Sequence, residues 1–200
     1  MPVPRSRREQ YSEETREALL TTATRIFVER GYVGTALSEV ASAAQVTRGA
    51  VYHHFKDKQD LYRAVLERTE TEALAAISDA YLVHEDPVAG AFAAMNAFLD
   101  HAMDTDYAEI ALRQGPIALG WEEWKRCEEQ YAAGLVEEIV TALVSAGRIP
   151  PLPIATAASI TFTMLGGCGM TIAAAAPADR ARVKDECTEV LVRLIGGLVV

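Results

Sequence analysis

Apolar residues recur at every third or fourth position along nearly the whole chain, and no stretch alternates apolar with polar residues. A period near 3.6 marks helices buried along one stripe, whereas a half-buried strand has a period of two. The pattern predicts an all-α protein of about nine helices packed on one another. Leu19, Ala23, Ile26 and Phe27 fall on one face of a first helix, with Ser12 as its expected N-cap and Gly31 closing its last turn. Leu37, Val40, Ala41 and Ala44 mark a short second helix that Thr35 or Ser38 can cap. Gln45 and Val46 form a turn, and Thr47 caps a third helix over 48–55 whose Val51 and Phe55 face inward. Asp57, with Asp60 three residues on, caps a long fourth helix reaching about Tyr81. Pro87 opens the next segment, and the run 108–119 reads as broken at Gly115-Pro116. Helices over 121–146, 154–176 and 179–198 complete the chain.

The net charge of -9 argues against a polyanion partner for the chain as a whole. Its distribution does not. Residues 1–60 hold nine Lys and Arg against eight Asp and Glu, while residues 61–200 hold ten against twenty. The basic groups are thus concentrated at one end of an otherwise acidic molecule. Cys127, Cys168 and Cys187 are odd in number and widely spaced, which fits a reducing cytosol rather than a disulfide framework. No apolar run follows the basic N-terminus, so no signal peptide is expected and a cytoplasmic location is. The stretch 149–178 carries no charge and is long enough to span a bilayer. Its prolines and its Ala, Thr, Ser and Gly content favour a helix packed against protein, so no membrane partner is expected.

Residues 35–58, TALSEVASAAQVTRGAVYHHFKDK, carry the chemistry. Two short helices around a tight turn make a helix-turn-helix, whose second helix can place its N-terminal residues against base edges in the major groove. Arg48 stands at that N-terminus and can donate two hydrogen bonds to guanine O6 and N7. Gly49 allows close backbone approach. Thr47, Tyr52 and His54 can donate to phosphates, and Lys58 begins the next helix where a phosphate is favoured. Arg5, Arg7 and Arg8 could reach into a minor groove. His53 and His54 are adjacent on a helix and point about 100° apart, so they do not converge on a metal.

This segment resembles the DNA-binding domain of the TetR (tetracycline-repressor) family. The resemblance rests on VTRGAVYHHFKDKQDL, on ALSEVA before it and on the ending of the first helix, and spans about residues 14–65. It implies base contact by Arg48 and Gly49, and phosphate contact by Thr35, Thr47, Tyr52, His54 and Lys58. Gln45 departs from the pattern, because many members have Gly in the turn. The implied layout is a basic flexible arm (1–11), a helix-turn-helix domain (12–57) and a C-terminal domain (58–200) for ligand binding and dimerisation. The expected partners are double-stranded operator DNA, a second copy of the chain and an apolar small-molecule effector, with no cofactor. Expected pocket residues are Phe92, Met95, Phe98, Met103, Tyr107, Trp121, Trp124, Tyr131, Phe162 and Met170, although such side chains also build ordinary cores. The resemblance places the dimer interface on the last two helices, with Ala158, Gly166, Gly169, Ala173, Leu191, Leu194, Ile195 and Leu198 as candidates. A repressor released from its operator by a ligand is the function this implies. The alternatives are an all-α enzyme, for which no catalytic motif is evident, and a redox-responsive regulator acting through Cys168.

Overall fold

The computed structural model describes residues 7–197. Its helices are α1 (Arg7–Arg30), α2 (Leu37–Ala43), α3 (Arg48–His54), α4 (Lys58–Leu82), α5 (Pro87–Met103), α6 (Thr105–Tyr107), a π-helix (Ala108–Gln114), α7 (Gly115–Leu119), α8 (Trp121–Ser145), α9 (Ile154–Ala174) and α10 (Arg180–Gly196). The stretch 105–119 is one continuous helical run, so these elements form nine rods, as the periodicity predicts. No strand occurs among the described residues.

Three local expectations need correction. The first helix begins at Arg7, so residues 7–11 are not a loose arm and Ser12 is not a cap. No Gly or Pro interrupts 7–30, Glu9 suits the first turn, and the Thr15 hydroxyl bonds back to the Tyr11 carbonyl at 2.8 Å. Residues 1–6 lie outside the described part, as does the Arg8 side chain, so neither Arg5 nor Arg8 is placed. The second helix is capped at Ala36 rather than Thr35 or Ser38, and the Ala36 N–H donates to Glu39 Oε2 at 3.1 Å. Finally, Gly115-Pro116 does not break the helix. Proline offers no N–H and its ring crowds the carbonyl four residues back. The backbone accommodates it by widening into the π-helix just before it. The run stops instead at Gly120, at a φ of +79°.

Elsewhere the signals act as read. Thr47 accepts the Ala50 N–H at 3.1 Å, and Asp57 accepts that of Asp60 at 2.8 Å while Asp60 accepts that of Lys56 at 3.0 Å. Leu61, Tyr62, Val65 and Leu66 of α4 are fully buried, each worth about 1.5–3 kcal/mol of burial. Their core runs unbroken from the helix-turn-helix, through the Phe27–Tyr62 and Tyr32–Tyr62 edge contacts, to Leu99, Ile110 and Ile172. A second cluster, around Val140, Leu143, Ile149 and Ala158, closes the far end.

Candidate functional site

One candidate surface lies on α2 and α3. Val51 and Phe55 pin α3 to the core, leaving its first residues and outer face in solvent. Thr47, Arg48 and Gly49 are exposed, and the Tyr52 ring is 59% exposed. A groove lined by Leu37, Ser38, Arg48, Val51 and Tyr52 runs between the two helices. A Cβ on Gly49 would meet only the Thr47 hydroxyl oxygen, at an ordinary 3.7 Å. Nothing inside the protein therefore requires glycine there, and its effect is a flat outer backbone. The Thr47 oxygen caps the helix but its O–H remains able to donate. His54 is half-buried, and burial, with His53 and Arg16 beside it, lowers its pKa and favours the neutral imidazole. The turn holds Gln45 at a φ of +56°, the left-handed region that the sequence departure implied.

Two predicted DNA contacts are not of this surface. Thr35 is 3% exposed and its hydroxyl donates to the Gly31 carbonyl at 2.8 Å. Lys58 turns inward, donating to the carbonyls of Tyr32 and Thr35 at 2.8 and 2.9 Å with its ammonium over the Tyr32 ring. Both residues fix the junction between α1 and α2. Sequence shows that they flank a helix-turn-helix but not that free carbonyls at the end of α1 compete for them.

The second candidate is a cavity of about 320 Å³ enclosed by α4, α5, α8, α9 and the end of α10. Its wall is almost wholly apolar, with Leu74, Ile77, Leu135, Ile139 and Leu165 among the larger contributors. Of the predicted lining residues, Met95, Phe98, Tyr107 and Phe162 face it. Phe92, Met103 and Met170 pack against the main core instead. Trp124 is buried with its indole N–H on the Ala111 carbonyl at 2.8 Å, and Trp121 stacks on it from outside. Tyr131 is half-buried on α8 but does not line the cavity. Two lining residues were not anticipated, Glu70 and Glu128. The available signal was position, since each carboxylate interrupts the apolar stripe of its own helix. Burial raises both carboxyls, Glu70 to about 7 and Glu128 well above the carboxylate range.

The two regions are joined by specific bonds. The Tyr32 N–H, just past α1, donates to Gln114 Oε1 of the π-helix at 3.0 Å. Tyr62 and Gln59 of α4 donate to the carbonyls of Ile110 and Ala118 at 2.5 and 2.9 Å. Arg63 of α4 pairs with Glu123 of α8. The π-helix thus touches the helix-turn-helix on one side and packs on α9 on the other.

The expected interface residues divide. Ala158, Gly169, Ala173 and Leu191 face the protein's own interior; a Cβ at Gly169 would stand 2.8 Å from the Phe98 ring. Gly166 lines the cavity, and Leu198 lies outside the described residues. Leu194 is 57% exposed and Ile195 half-buried. The outer face of α9 instead presents Thr156, Ile160, Thr163, Gly167, Thr171 and Ala174. Thr163 and Thr171 turn their hydroxyls back onto the helix backbone, which leaves methyl groups outward. Val190 and Leu194, four residues apart on α10, are also exposed. Among the described residues α9 is the one helix long and apolar enough to cross a membrane, which by itself is weak evidence because a core helix passes the same test. Cys168 neighbours Cys187, and burial together with that thiol pushes it up to about 11, so the redox alternative lacks a reactive thiolate.

Residues 19–65 match the family described as bacterial regulatory proteins, tetR family, and residues 88–198 match the tetracyclin repressor-like C-terminal domain. The chain is similar over 141 residues, at 28% identity, to the transposon Tn10 TetC protein of Escherichia coli, covering 68% of this chain and 69% of that one. It is 48% identical over 62 residues to the transcriptional regulator AcrR of Shigella flexneri, covering 31% of this chain and 29% of that protein. A TetR-family transcriptional regulator from Pectobacterium atrosepticum superimposes with a TM-score of 0.83 at 29% identity over 98% of both chains. An exposed recognition helix at one end, an apolar chamber at the other and a match to both halves lead to one conclusion: this chain belongs to the TetR family of DNA-binding transcriptional regulators.

Proposed function

We propose that the chain is a homodimeric repressor that leaves its operator when an apolar small molecule enters the cavity. The observation that carries this reading is the run of α4, whose first turns are built into the helix-turn-helix core and whose later turns wall the cavity. A molecule that pushes on Leu74 or Ile77 bears on the same rod that holds α3. The bonds from Tyr32, Gln59 and Tyr62 to the 105–119 run, which continues unbroken through Gly115-Pro116, supply a second path. Hinges and helix shifts of this kind work through a few element-terminal positions.

Arg48 reads a guanine, Gly49 lets the backbone approach, and Thr47, Tyr52 and His54 hold phosphates. Two α3 helices must meet two half-sites, which requires a two-fold dimer. Ile160, Gly167, Val190 and Leu194 form the apolar face that a second copy covers. The repressor acts in the cytoplasm, where its DNA is. The test is duplex selection from random DNA, followed by titration of the selected site. A near-palindromic site whose complex dissociates when the cavity fills supports the reading. A Leu135→Trp variant, which occupies the cavity, should no longer respond to added small molecules. Continued response by that variant would refute the cavity as the effector site.

A further inference from the structure

We propose that the cavity selects a lipophilic amine in its protonated form, with the apolar body against α5, α8 and α9 and the ammonium N–H groups on the Glu70–Glu128 pair. This deepens the effector reading above and rests on it.

Glu70 is 4% exposed. Its Oε1 and that of Glu128 are sealed from solvent and have no hydrogen-bond partner. A buried acceptor without a donor is destabilising, and more so when it is charged. Both residues belong to the cavity lining, and two unpaired oxygens just behind its wall mark a place short of donors. The protein supplies only part of what they lack: the proton on Glu128 is shared with Glu70 in a hydrogen bond between the two carboxyls. The Tyr107 hydroxyl reaches Glu70 Oε2 only at 3.4 Å, and the Trp124 indole donates to the Ala111 carbonyl. No Lys, Arg or His lines the cavity among the described residues.

Ligand classes then separate by charge. A carboxylate or phosphate ligand would meet like charge with no cation to offset it. A neutral hydrocarbon or alcohol would leave at least one orphan oxygen unpaired. An alkylammonium brings both a positive charge and two or three donors. The rings of Phe98, Phe162 and Tyr107 line the same chamber and suit a cation's flank.

The exchange also balances in protons. Tyr107 of α6, Tyr62 of α4 and Tyr131 and Cys127 of α8 are the titratable groups around the pair, and all are neutral near pH 7. The cavity walls of α5, α9 and α10 add no titratable group. Glu128 keeps its proton, and Glu70 loses its own at about pH 7. Below that pH a bound ammonium must displace one proton from Glu70 to solvent, so its affinity falls as the pH falls.

The test uses purified full-length protein and three eight-carbon probes in calorimetric titrations: octylamine, 1-octanol and octanoate. Octylamine stays charged from pH 5.5 to 8, since alkylamines titrate near 10. The expected result is preference for octylamine, with affinity about thirtyfold higher at pH 8 than at pH 5.5, the ratio of ionised Glu70 at the two values. Glu70→Gln should lower octylamine affinity at pH 8 at least about tenfold and abolish its pH dependence. Octanol affinity should change far less than octylamine affinity in that variant, which separates loss of the charge partner from loss of the cavity. Equal binding of octanol and octylamine at both pH values would overturn the cation inference and leave the apolar effector reading standing. Preference for octanoate would overturn it in the same way. Binding of none of the three would overturn both.

Discussion

Replacing Glu70 by Gln should make the protein more stable at pH 8 and leave it unchanged near pH 4.5. Glu70 sits in the main wall of the cavity, 4% exposed, with its carboxyl raised to about 7 from an ordinary 4.5, chiefly by burial. The folded state therefore holds this proton more tightly than the unfolded state does. Stability is highest below pH 4.5, where both states are protonated, and falls as pH rises through 7, where the folded carboxyl must ionise without water. At 1.36 kcal/mol for each pH unit between those values, the loss amounts to about 3 kcal/mol by pH 8. Glu128 pulls in the same direction and continues above pH 7. Glutamine keeps the shape and has no charge to bury, so Glu70→Gln should recover most of that amount at pH 8. Urea denaturation at pH 4.5, 6 and 8, at one fixed protein concentration because dimer dissociation is coupled to unfolding, reads the effect. Identical pH profiles for the two proteins would mean that Glu70 is ionised and solvated in the folded state.

Gln45 holds a φ of +56°, so Gln45→Gly should relieve left-handed strain and stabilise the helix-turn-helix by about 0.5–1 kcal/mol, seen as a raised thermal midpoint. A Cβ at Gly115 would stand 2.5 Å from Cδ1 of Trp124; Gly115→Ala should destabilise by about 1–3 kcal/mol and shift the tryptophan emission, because the indole must move. Leu194→Lys should place a charge on each side of the α10 face and convert dimer to monomer in sedimentation velocity, with the helical circular dichroism of the subunit retained.

The architecture was legible in the sequence because helical periodicity and cap residues are local signals. Thr47, Asp57 and Asp60 act where their positions say. The start of α1 was not legible, because Ser12 resembles a cap but the good helix formers Arg7, Arg8, Glu9 and Gln10 carry the helix past it. Gly115-Pro116 resembles a break, yet the backbone widens just before it and continues, which lets the proline sit inside a helical run. Arg48, Gly49 and Tyr52 are exposed on α3, as their place in the sequence implied. Thr35 and Lys58 are held by carbonyls that only the folded chain brings near. The cavity was half read. Aromatic and Met residues are equally at home in cores, which is where Phe92, Trp124 and Met170 went, while the polar groups that distinguish a pocket, Glu70 and Glu128, were hidden in apolar stripes.

The repressor reading rests first on recognition of duplex DNA by α3. A site selected from random duplexes, titrated with wild-type protein and with Arg48→Ala at two salt concentrations, tests it most directly. The account predicts a strongly salt-dependent, sequence-specific complex that Arg48→Ala weakens by about 1–3 kcal/mol while relaxing one base position. Equal affinity for every duplex, with no change on substituting Arg48, would contradict it.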